Sequence, residues 1–250
     1  MKDNVHEGHR NRLKNRFLEQ GIDNFQPHNI LELLLFYSIP RRDTNEIAHN
    51  LLESFGTLKG VFDADFNDLI KVDGVKENSA TLLKLIPEIA RAYATNKYSS
   101  NYIFDTAEKV GEFFLDKYIG EKNEIIYLLL LNNRYEMLDI VKLHEGSVNS
   151  AQISPRKIVD LVVKHNASMI ILAHNHPDGT AYPSMEDIET TVELMETFRL
   201  VDVRLIEHYV VSNNDYFTII HSTESLKQSN KDNRDFFRRT LLNKKENFQA

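Results

Sequence analysis

The stretch "ILAHNHPDGTAYPSMED", residues 171–187, decides how the second half of the chain is interpreted. An apolar run leads into His174 and His176, which flank one asparagine. A Pro-Asp-Gly turn follows, and a Pro-Ser pair then precedes an acidic pair at the start of a helical pattern. Because side chains two residues apart on a strand point to the same face, we expect the two imidazoles side by side at the end of a strand.

Asp187 stands where the first turn of the following helix can return to the two histidines. Two imidazole nitrogens and one carboxylate oxygen are typical zinc ligands, and three protein ligands leave a fourth position for water. Such a site is typical of catalytic zinc, since the bound water becomes a nucleophile near neutral pH. The spacing therefore predicts a zinc site formed by His174, His176 and Asp187.

The same residues also have a purely structural interpretation. Ser184 and Asp187 stand three residues apart before a helical pattern, which resembles a capping box with Asp in place of the usual Glu. An isolated His-x-His pair in a chain with 10 histidines is weak evidence for a metal. The combination of a strand, His-x-His-Pro, glycine and Pro-Ser-x-x-Asp favours the metal, because it brings three ligands and one hydroxyl to a single point.

Composition narrows the function classes. The 250 residues are 42% hydrophobic and 27% charged, which is ordinary for a globular protein. The chain has no cysteine, so disulfides and thiolate metal sites are excluded. The start of the chain is polar and the apolar runs are too short to cross a bilayer, so we expect a cytoplasmic protein without a membrane partner. A net charge of −7 provides no global basic field for nucleic acid.

The first part of the chain is predicted to be all-α with short connections. The segment "HRNRLKNRFLEQG" carries apolar residues at Leu13, Phe17 and Leu18 and then a glycine that ends a helix. The segment "TNEIAHNLLESFG" begins with Thr44 as a candidate cap and also ends in a glycine.

The second part is predicted to be α/β with a mixed sheet. "EIIYLLLLN" predicts a central strand covered on both faces, "EMLDIVKLHEG" its hairpin partner, and "SPRKIVDLVVKHN" an amphipathic helix capped by Ser154. "SMIILAHNH", "DVRLIEHYVVS" and "DYFTII" predict strands, and "SMEDIETTVELMETFRL" a helix. The fold class is therefore α+β: a helical domain over 1–95, a polar linker within 96–104, an α/β domain over 103–223 and a polar tail over 224–250.

The motif "HNHPDGTAYPSMED" resembles the JAMM signature of MPN-domain metalloproteins, in which H-x-H and S-x-x-D hold zinc. The longer stretch from "GSVNSAQISPRKIV" to "PSMEDIETT" resembles the bacterial RadC family more closely, and "EGHRNRLKNRFLEQG" is similar to its N-terminal helical region. The resemblance covers roughly residues 6–223. It implies a zinc metallohydrolase, a JAMM-type metallopeptidase or isopeptidase that acts on a protein or peptide substrate through a zinc-activated water.

The resemblance also implies roles for individual residues. The zinc ligands of the family match His174, His176 and Asp187. Ser184 matches the serine that hydrogen-bonds the metal-bound water or the developing oxyanion. JAMM enzymes use an upstream glutamate as general base, for which Glu136 and Glu145 on the predicted hairpin are the candidates. Residues 155–157 read Pro-Arg-Lys where the family often has Pro-Arg-Glu, so an acid is absent at that position.

"LIKVDGVKENSATLLKL" in the helical part resembles a helix-hairpin-helix element, whose Gly-h-Gly turn offers backbone N–H groups to a DNA phosphate. The turn here is Gly74-Val75-Lys76, and a packing or protein-binding hairpin fits the same pattern. Phosphate contact through residues 74–80 would give weak, salt-sensitive, sequence-independent DNA binding. The alternative function is therefore a DNA-associated accessory protein of repair or recombination with a non-catalytic zinc-binding MPN module. A third possible function is that of a scaffold that binds a peptide tail without catalysis.

Four further residues lie close to the predicted site. Thr180 and Tyr182 stand in the loop between the ligands, where they are positioned to shape substrate entry. Glu207 and His208 stand near the start of a predicted strand. For His208 the pattern favours a half-exposed strand histidine over a residue that lines the zinc cleft.

Overall fold

The structure is a computed structural model that describes residues 5–40, 42–98, 102–146, 154–177 and 179–222. The chain divides into two compact units, Met1–Tyr93 and Ala94–Ala250. The first unit is helical and the second combines helices with a mixed five-stranded sheet, which confirms the predicted fold class. The predicted tail, 224–250, and part of the RadC-like stretch, 147–153, lie outside the described residues. None of the helices in the described ranges has the length and apolar character needed to cross a membrane.

The helices that begin in the first unit are α1 (Val5–Gln20), α2 (Pro27–Ser38), α3 (Asn45–Phe55), α4 (Leu58–Asp63), α5 (Phe66–Leu69) and α6 (Glu77–Thr95). Their core is aliphatic and includes Leu31, Leu35, Ile47, Leu51, Val61, Leu69 and Leu83. The predicted helices are confirmed, but two details differ. Phe17 and Leu18 are 41% and 78% exposed, whereas Leu13 is buried. Thr44 stands at the start of α3 without a side-chain capping bond, and its hydroxyl donates instead to the carbonyl of Glu32 at 3.5 Å.

The turn between α5 and α6 requires glycine for local packing. Gly74 has a φ of 85°, a left-handed conformation that side chains with a Cβ rarely adopt. A Cβ added there would lie 2.6 Å from Cδ1 of Ile47 in the core of the same unit. This glycine of the predicted helix-hairpin-helix turn is therefore needed by the fold of the unit, whether or not DNA binds.

The elements of the second unit are α7 (Ala107–Lys117), β1 (Ile125–Leu131), β2 (Met137–Glu145), α8 (Pro155–His165), β3 (Met169–Asn175), α9 (Met185–Arg199), β4 (Arg204–Ser212) and β5 (Asp215–Thr218). The strand order is β2-β1-β3-β4-β5. β3 and β4 are parallel, and the other neighbouring strands are antiparallel. The predicted β1–β2 hairpin and the cap of α8 are confirmed, since the Ser154 hydroxyl accepts from the backbone N–H of Lys157.

Helices cover both faces of the sheet, which explains why β1 and β3 are buried along their whole length. We call the face of Tyr127 and Leu129, which packs with the aromatic residues of α7, the α7 face. We call the face of Leu128 and Leu130, which packs with α8 and α9, the α8–α9 face. The predicted central strand is thereby confirmed. The same alternation determines on which face each polar residue at the strand ends lies.

Candidate metal centre

The end of β3 holds the two histidines side by side. His174 is 3% exposed and lies in register with Ile126 of β1, on the α8–α9 face. The backbone N–H of His176 donates to the carbonyl of Val211 at 2.7 Å, which ties the residue to β4 just beyond the end of β3. The Nε2 atoms of the two rings lie 3.2 Å apart. The alternation of strand side chains, continued for one residue past the strand, therefore produces the predicted imidazole pair.

Asp187 enters the same cluster from the first turn of α9. One carboxylate oxygen, Oδ2, accepts from the backbone N–H and the hydroxyl of Ser184, each at 2.7 Å. The Ser184 hydroxyl in turn accepts from the Asp187 N–H at 3.1 Å, which completes a capping box. The second oxygen, Oδ1, lies 3.4 Å from Nε2 of His174. The two interpretations of the sequence are therefore compatible, since one oxygen caps the helix and the other faces the histidines.

His174, His176 and Asp187 form a group that could hold a metal ion. Each offers one ligand atom, and these atoms all lie within 4.8 Å of one another. His174 is buried, while His176 and Asp187 are half-buried, so part of the group is accessible to solvent. Within the ranges that the structure describes, no other set of His, Asp and Glu side chains converges in this way.

The carboxyl of Asp187 is ionised at neutral pH. Its burial by itself would raise its pKa. When His174 is protonated, its hydrogen bond and positive charge, together with the two donors of Ser184, outweigh burial and hold the pKa of Asp187 well below its usual value. The group therefore presents an anionic oxygen to any cation that binds between the three side chains.

His208 lies directly behind His174. It is 2% exposed because α9 packs over this part of β4, so the expectation of a half-exposed histidine is wrong. Its Nε2 lies 2.9 Å from Nδ1 of His174, and its Nδ1 lies 2.6 Å from the hydroxyl oxygen of Thr191 on α9. Burial, with a further contribution from the charge of His174 when that ring is protonated, lowers the pKa of His208 to about 3, so the ring of His208 is neutral at neutral pH.

Backbone groups hold the loop that follows His176. The ring Nδ1 of His176 lies 3.0 Å from the carbonyl oxygen of Thr180. The Ser212 hydroxyl donates to the carbonyl of Gly179 at 2.6 Å, which anchors the loop to the end of β4. Asp178, the middle residue of the predicted turn, lies outside the described residues. Thr180 thus contributes its carbonyl to the orientation of a candidate ligand.

Tyr182 in the same loop packs its ring against Phe217, with ring centroids 5.4 Å apart. Its hydroxyl oxygen is buried and has no hydrogen-bond partner among the described residues. Burial raises the pKa of Tyr182, so its hydroxyl stays protonated. A role of Thr180 and Tyr182 in substrate entry stays a prediction.

Glu136 does not lie beside the histidines, so the expectation that it is the base is wrong. Leu131, at the end of β1, pairs with Met169, the first residue of β3. Glu136 follows Leu131 across the hairpin and therefore lies at that end of the sheet, whereas His174 lies at the other end of β3. The carboxylate of Glu136 binds the side chain of Arg134 at 3.0 Å.

Glu145 lies at the correct end of the sheet but on the wrong face, so this expectation is also wrong. It pairs with Ile125, whose side chain is on the α7 face. His174 pairs with Ile126 on the α8–α9 face, and residues directly opposite each other on neighbouring strands share a face. The carboxylate of Glu145 binds the ammonium group of Lys142 at 2.8 Å.

Glu124 is the glutamate that the strand register brings to the histidines. It precedes β1, and extending the Ile126–His174 register two residues beyond the paired strands would place it opposite His176 on the α8–α9 face. Its carbonyl accepts from the Gly146 N–H at 2.9 Å, which holds the backbone beside β2, and the residue is half-buried. Sequence reasoning missed Glu124 because the pairing of β1 with β3 is not visible in the sequence. The available signal was that Glu124 continues the alternation of Ile126 and Leu128.

Comparisons with known proteins agree with this architecture. The family model described as a RadC-like JAB domain matches residues 104–226. A UPF0758 protein of Fusobacterium nucleatum is 36% identical over 227 residues, which are 88% of this chain and 98% of that protein. A match of this length includes much of the helical unit as well as the α/β unit. The chain therefore belongs to the RadC family, and its second unit contains a RadC-like JAB domain.

Proposed function

We propose that the protein is a zinc metallohydrolase that cleaves an amide or isopeptide bond in a protein or peptide substrate. The observation that carries this proposal is the convergence of His174, His176 and Asp187 at one end of β3. Membership of the RadC family supports it, because the matched domain is described as JAB-like and the resemblance to the JAMM signature includes the same three residues.

Two of the three separations within the cluster fit zinc. Ligand atoms 2.0–2.1 Å from a tetrahedral ion lie about 3.3–3.4 Å from one another. The two Nε2 atoms are 3.2 Å apart, and Nε2 of His174 is 3.4 Å from Oδ1 of Asp187. Two imidazoles and one carboxylate, with no cysteine in the chain, also match a known type of catalytic zinc site. When bound, zinc would supply a Lewis acid that makes water a nucleophile near neutral pH.

Glu124 is our candidate for the general base. Residues directly opposite each other on antiparallel strands have Cα atoms about 4.5–5.5 Å apart, so its carboxylate can reach the water-accessible side of His176. There it would accept a proton from the attacking water and return it to the leaving amine. Neither of the two glutamates proposed from the sequence, Glu136 and Glu145, lies both on the correct face and at the correct end of the sheet.

Ser184 has two proposed roles, one in the resting site and one during the reaction. Its backbone N–H and hydroxyl both bind Oδ2 of Asp187, which orients the other carboxylate oxygen toward the histidines. If the hydroxyl turns away, the backbone N–H still holds Oδ2. The hydroxyl proton is then available to the oxyanion that develops during amide hydrolysis. Ser184 is therefore a positioning residue in the resting site and our candidate oxyanion donor during the reaction.

The test uses a library of peptide-linked and isopeptide-linked fluorogenic substrates with the zinc-loaded full chain. We expect hydrolysis that a chelator abolishes and added zinc restores. Glu124→Gln should keep the metal but lose activity by about 10²–10⁴-fold. Glu145→Gln is the matched control, since Glu145 lies at the same end of the sheet on the other face, and it should remain active. A zinc-loaded wild type without hydrolysis would favour a non-catalytic metal-binding module.

A second candidate function is DNA binding by the first unit, and the geometry of its α5–α6 turn favours it. Gly74 has positive φ, and the turn leads directly into the 19-residue helix α6, whose first backbone N–H groups can approach a phosphate. We propose weak, sequence-independent binding through residues 74–80. Lys76→Glu should reduce DNA affinity and flatten its salt dependence, while Lys59→Glu in the same unit should have a smaller effect. No binding at low salt would favour a packing hairpin.

A further inference from the structure

A buried chain of hydrogen bonds runs behind the candidate metal centre from a backbone carbonyl to His174. The Thr191 hydroxyl donates to the carbonyl of Asp187 at 2.6 Å, and its oxygen lies 2.6 Å from Nδ1 of His208. Nε2 of His208 lies 2.9 Å from Nδ1 of His174. Thr191, His208 and His174 are 1%, 2% and 3% exposed, so water does not compete for these bonds.

The carbonyl of Asp187 determines the direction of every hydrogen bond in this buried series. A carbonyl oxygen only accepts, so the single hydroxyl proton of Thr191 points to Asp187. The Thr191 oxygen must then accept from Nδ1–H of His208. The ring of His208 is buried between Thr191 and His174, and a buried neutral imidazole carries one N–H. Its Nε2 therefore accepts, and the donor is Nδ1–H of His174.

We propose that Thr191 and His208 are positioning residues that keep the proton of His174 on Nδ1 and thereby present its Nε2 lone pair to a cation. The inference deepens the proposed function, because it concerns the ligands of the same site. The tautomer is nevertheless a property of the metal-free protein, so it can be measured without activity and without zinc.

His176 is fixed in the same way by a single contact. Its Nδ1 faces the carbonyl oxygen of Thr180 at 3.0 Å, so the proton is on Nδ1 and the lone pair is on Nε2. Two Nε2 lone pairs thus face each other across 3.2 Å, with an oxygen of the Asp187 carboxylate 3.4 Å from one of them. Three acceptors without a donor between them form a site that is complete only when a cation binds.

Thr191→Val tests the chain with almost no change in side-chain shape. Without the hydroxyl, Nδ1–H of His208 loses its acceptor, and the ring can move its proton to Nε2. His174 would then accept at Nδ1 and carry its own proton on Nε2, where it competes with the metal. Losing a hydrogen-bond partner of a metal-ligating histidine typically lowers metal affinity by about 10–100-fold, and we expect this loss for zinc.

Two variants serve as controls. Thr191→Ser keeps the hydroxyl and should restore the wild-type behaviour. Thr197→Val removes a hydroxyl from the same helix that also bonds a carbonyl four residues back, that of Glu193 at 2.9 Å, but Thr197 is exposed. It should leave the tautomers and the zinc affinity at wild-type values, since no histidine depends on it.

The experiment combines two measurements on the full chain. Long-range ¹H–¹⁵N correlation spectra of the metal-free protein at about pH 8.5, above the ordinary histidine pKa, read the tautomer of each ring. Competition with a chromogenic chelator then gives the zinc affinity. We expect Nδ1–H at His174 and His208 in the wild type, with loss of both the tautomer and affinity in Thr191→Val.

Nε2–H at His174 in the wild type would overturn the inference without any variant, even if Thr191→Val failed to fold. An unchanged tautomer and affinity in Thr191→Val would also overturn it. The predicted tautomers in a protein that binds no zinc would support the hydrogen-bond chain and refute the proposed function. Zinc-dependent hydrolysis with the opposite tautomer would support the proposed function and refute the hydrogen-bond chain.

Discussion

Each unit of the molecule places a carboxylate beside a histidine, fully buried in the first unit and half-buried in the second, but the two clusters are built differently. In the first unit, Glu32 is fully buried, and its carboxylate oxygens meet Nε2 of His9 at 2.8 Å and the amide nitrogen of Asn45 at 3.4 Å. In the second unit, Oδ1 of Asp187 faces Nε2 of His174 at 3.4 Å, and the nearest neighbour of that nitrogen is a second imidazole.

The difference lies in the balance of donors and acceptors. Both oxygens of Glu32 meet groups that can donate, so the cluster is complete and links α1 and α3 to α2. In the Asp187 cluster, three acceptors face one another, and a cation must supply the missing positive charge. Burial of a carboxylate beside a histidine is therefore not enough to predict a metal site. The direction of the surrounding hydrogen bonds decides between a structural link and a cation site.

The largest effect expected is the loss of metal on removal of an imidazole. The wild type should bind about one zinc per chain. His174→Ala or His176→Ala should abolish stoichiometric binding, because each removes one of only three protein ligands. Elemental analysis after dialysis against a mild chelator checks this. His9→Ala should retain the metal, and full zinc content in both ligand variants would show that the site lies elsewhere.

The next effect concerns turnover. Ser184→Ala should leave zinc content intact and lower kcat by about 10²–10³-fold with little change in KM, since an oxyanion donor acts mainly in the transition state. Steady-state kinetics on a cleavable substrate provides the measurement. Thr57→Ala in the first unit removes a similar helix cap, the bond from the Gly60 N–H at 2.9 Å, and should leave turnover unchanged. Equal kcat in Ser184→Ala and the wild type would show that Ser184 acts only as a helix cap.

Two amide substitutions compare the clusters directly. Asp187→Asn should lower zinc affinity by at least about 10-fold and change the stability of the metal-free protein little, because the amide still accepts at the cap but loses the anionic ligand. Glu32→Gln should leave zinc affinity unchanged and lower the free energy of unfolding by about 1–3 kcal/mol, because a charged hydrogen-bond acceptor is lost in the core. Chelator competition and chemical denaturation measure both quantities. The reverse pattern would exchange the roles of the two clusters.

The smallest effect on function is expected from Gly74→Ala. The positive φ and the approach to Ile47 should destabilise the first unit by about 1–3 kcal/mol, while zinc content stays at the wild-type value. Thermal unfolding and elemental analysis of one sample check both statements. Loss of zinc in this variant would mean that the metal centre depends on the helical unit.

Local sequence patterns predicted the elements that bring the candidate ligands together. The alternation of a strand and the first turn of a helix are local properties, so the convergence of His174, His176 and Asp187 could be expected from their spacing. The competing interpretations of Asp187 could not be separated by sequence. A carboxylate has two oxygens, and here each serves one role.

The residues behind and opposite the ligands could not be predicted in the same way. His208 contacts His174 because β4 lies parallel to β3, and the β1–β3 register, extended past the strand ends, points Glu124 toward His176 because β1 lies on the other side of β3. Strand order is a non-local property, so the search for the base turned to the hairpin residues Glu136 and Glu145. Once the order is known, alternation along β1 places Glu124, but Glu145 is placed by the irregular β1–β2 register, which pairs it with Ile125.

The measurement that tests the central claim most directly is zinc K-edge X-ray absorption of the zinc-loaded full chain. We predict nitrogen and oxygen ligands at about 2.0–2.1 Å with scattering from two imidazoles in the wild type, and loss of the protein-bound zinc signal in His176→Ala after dialysis against a mild chelator. Zinc without imidazole scattering in the wild type, or a spectrum that does not change in His176→Ala, would contradict a metal centre built from His174, His176 and Asp187.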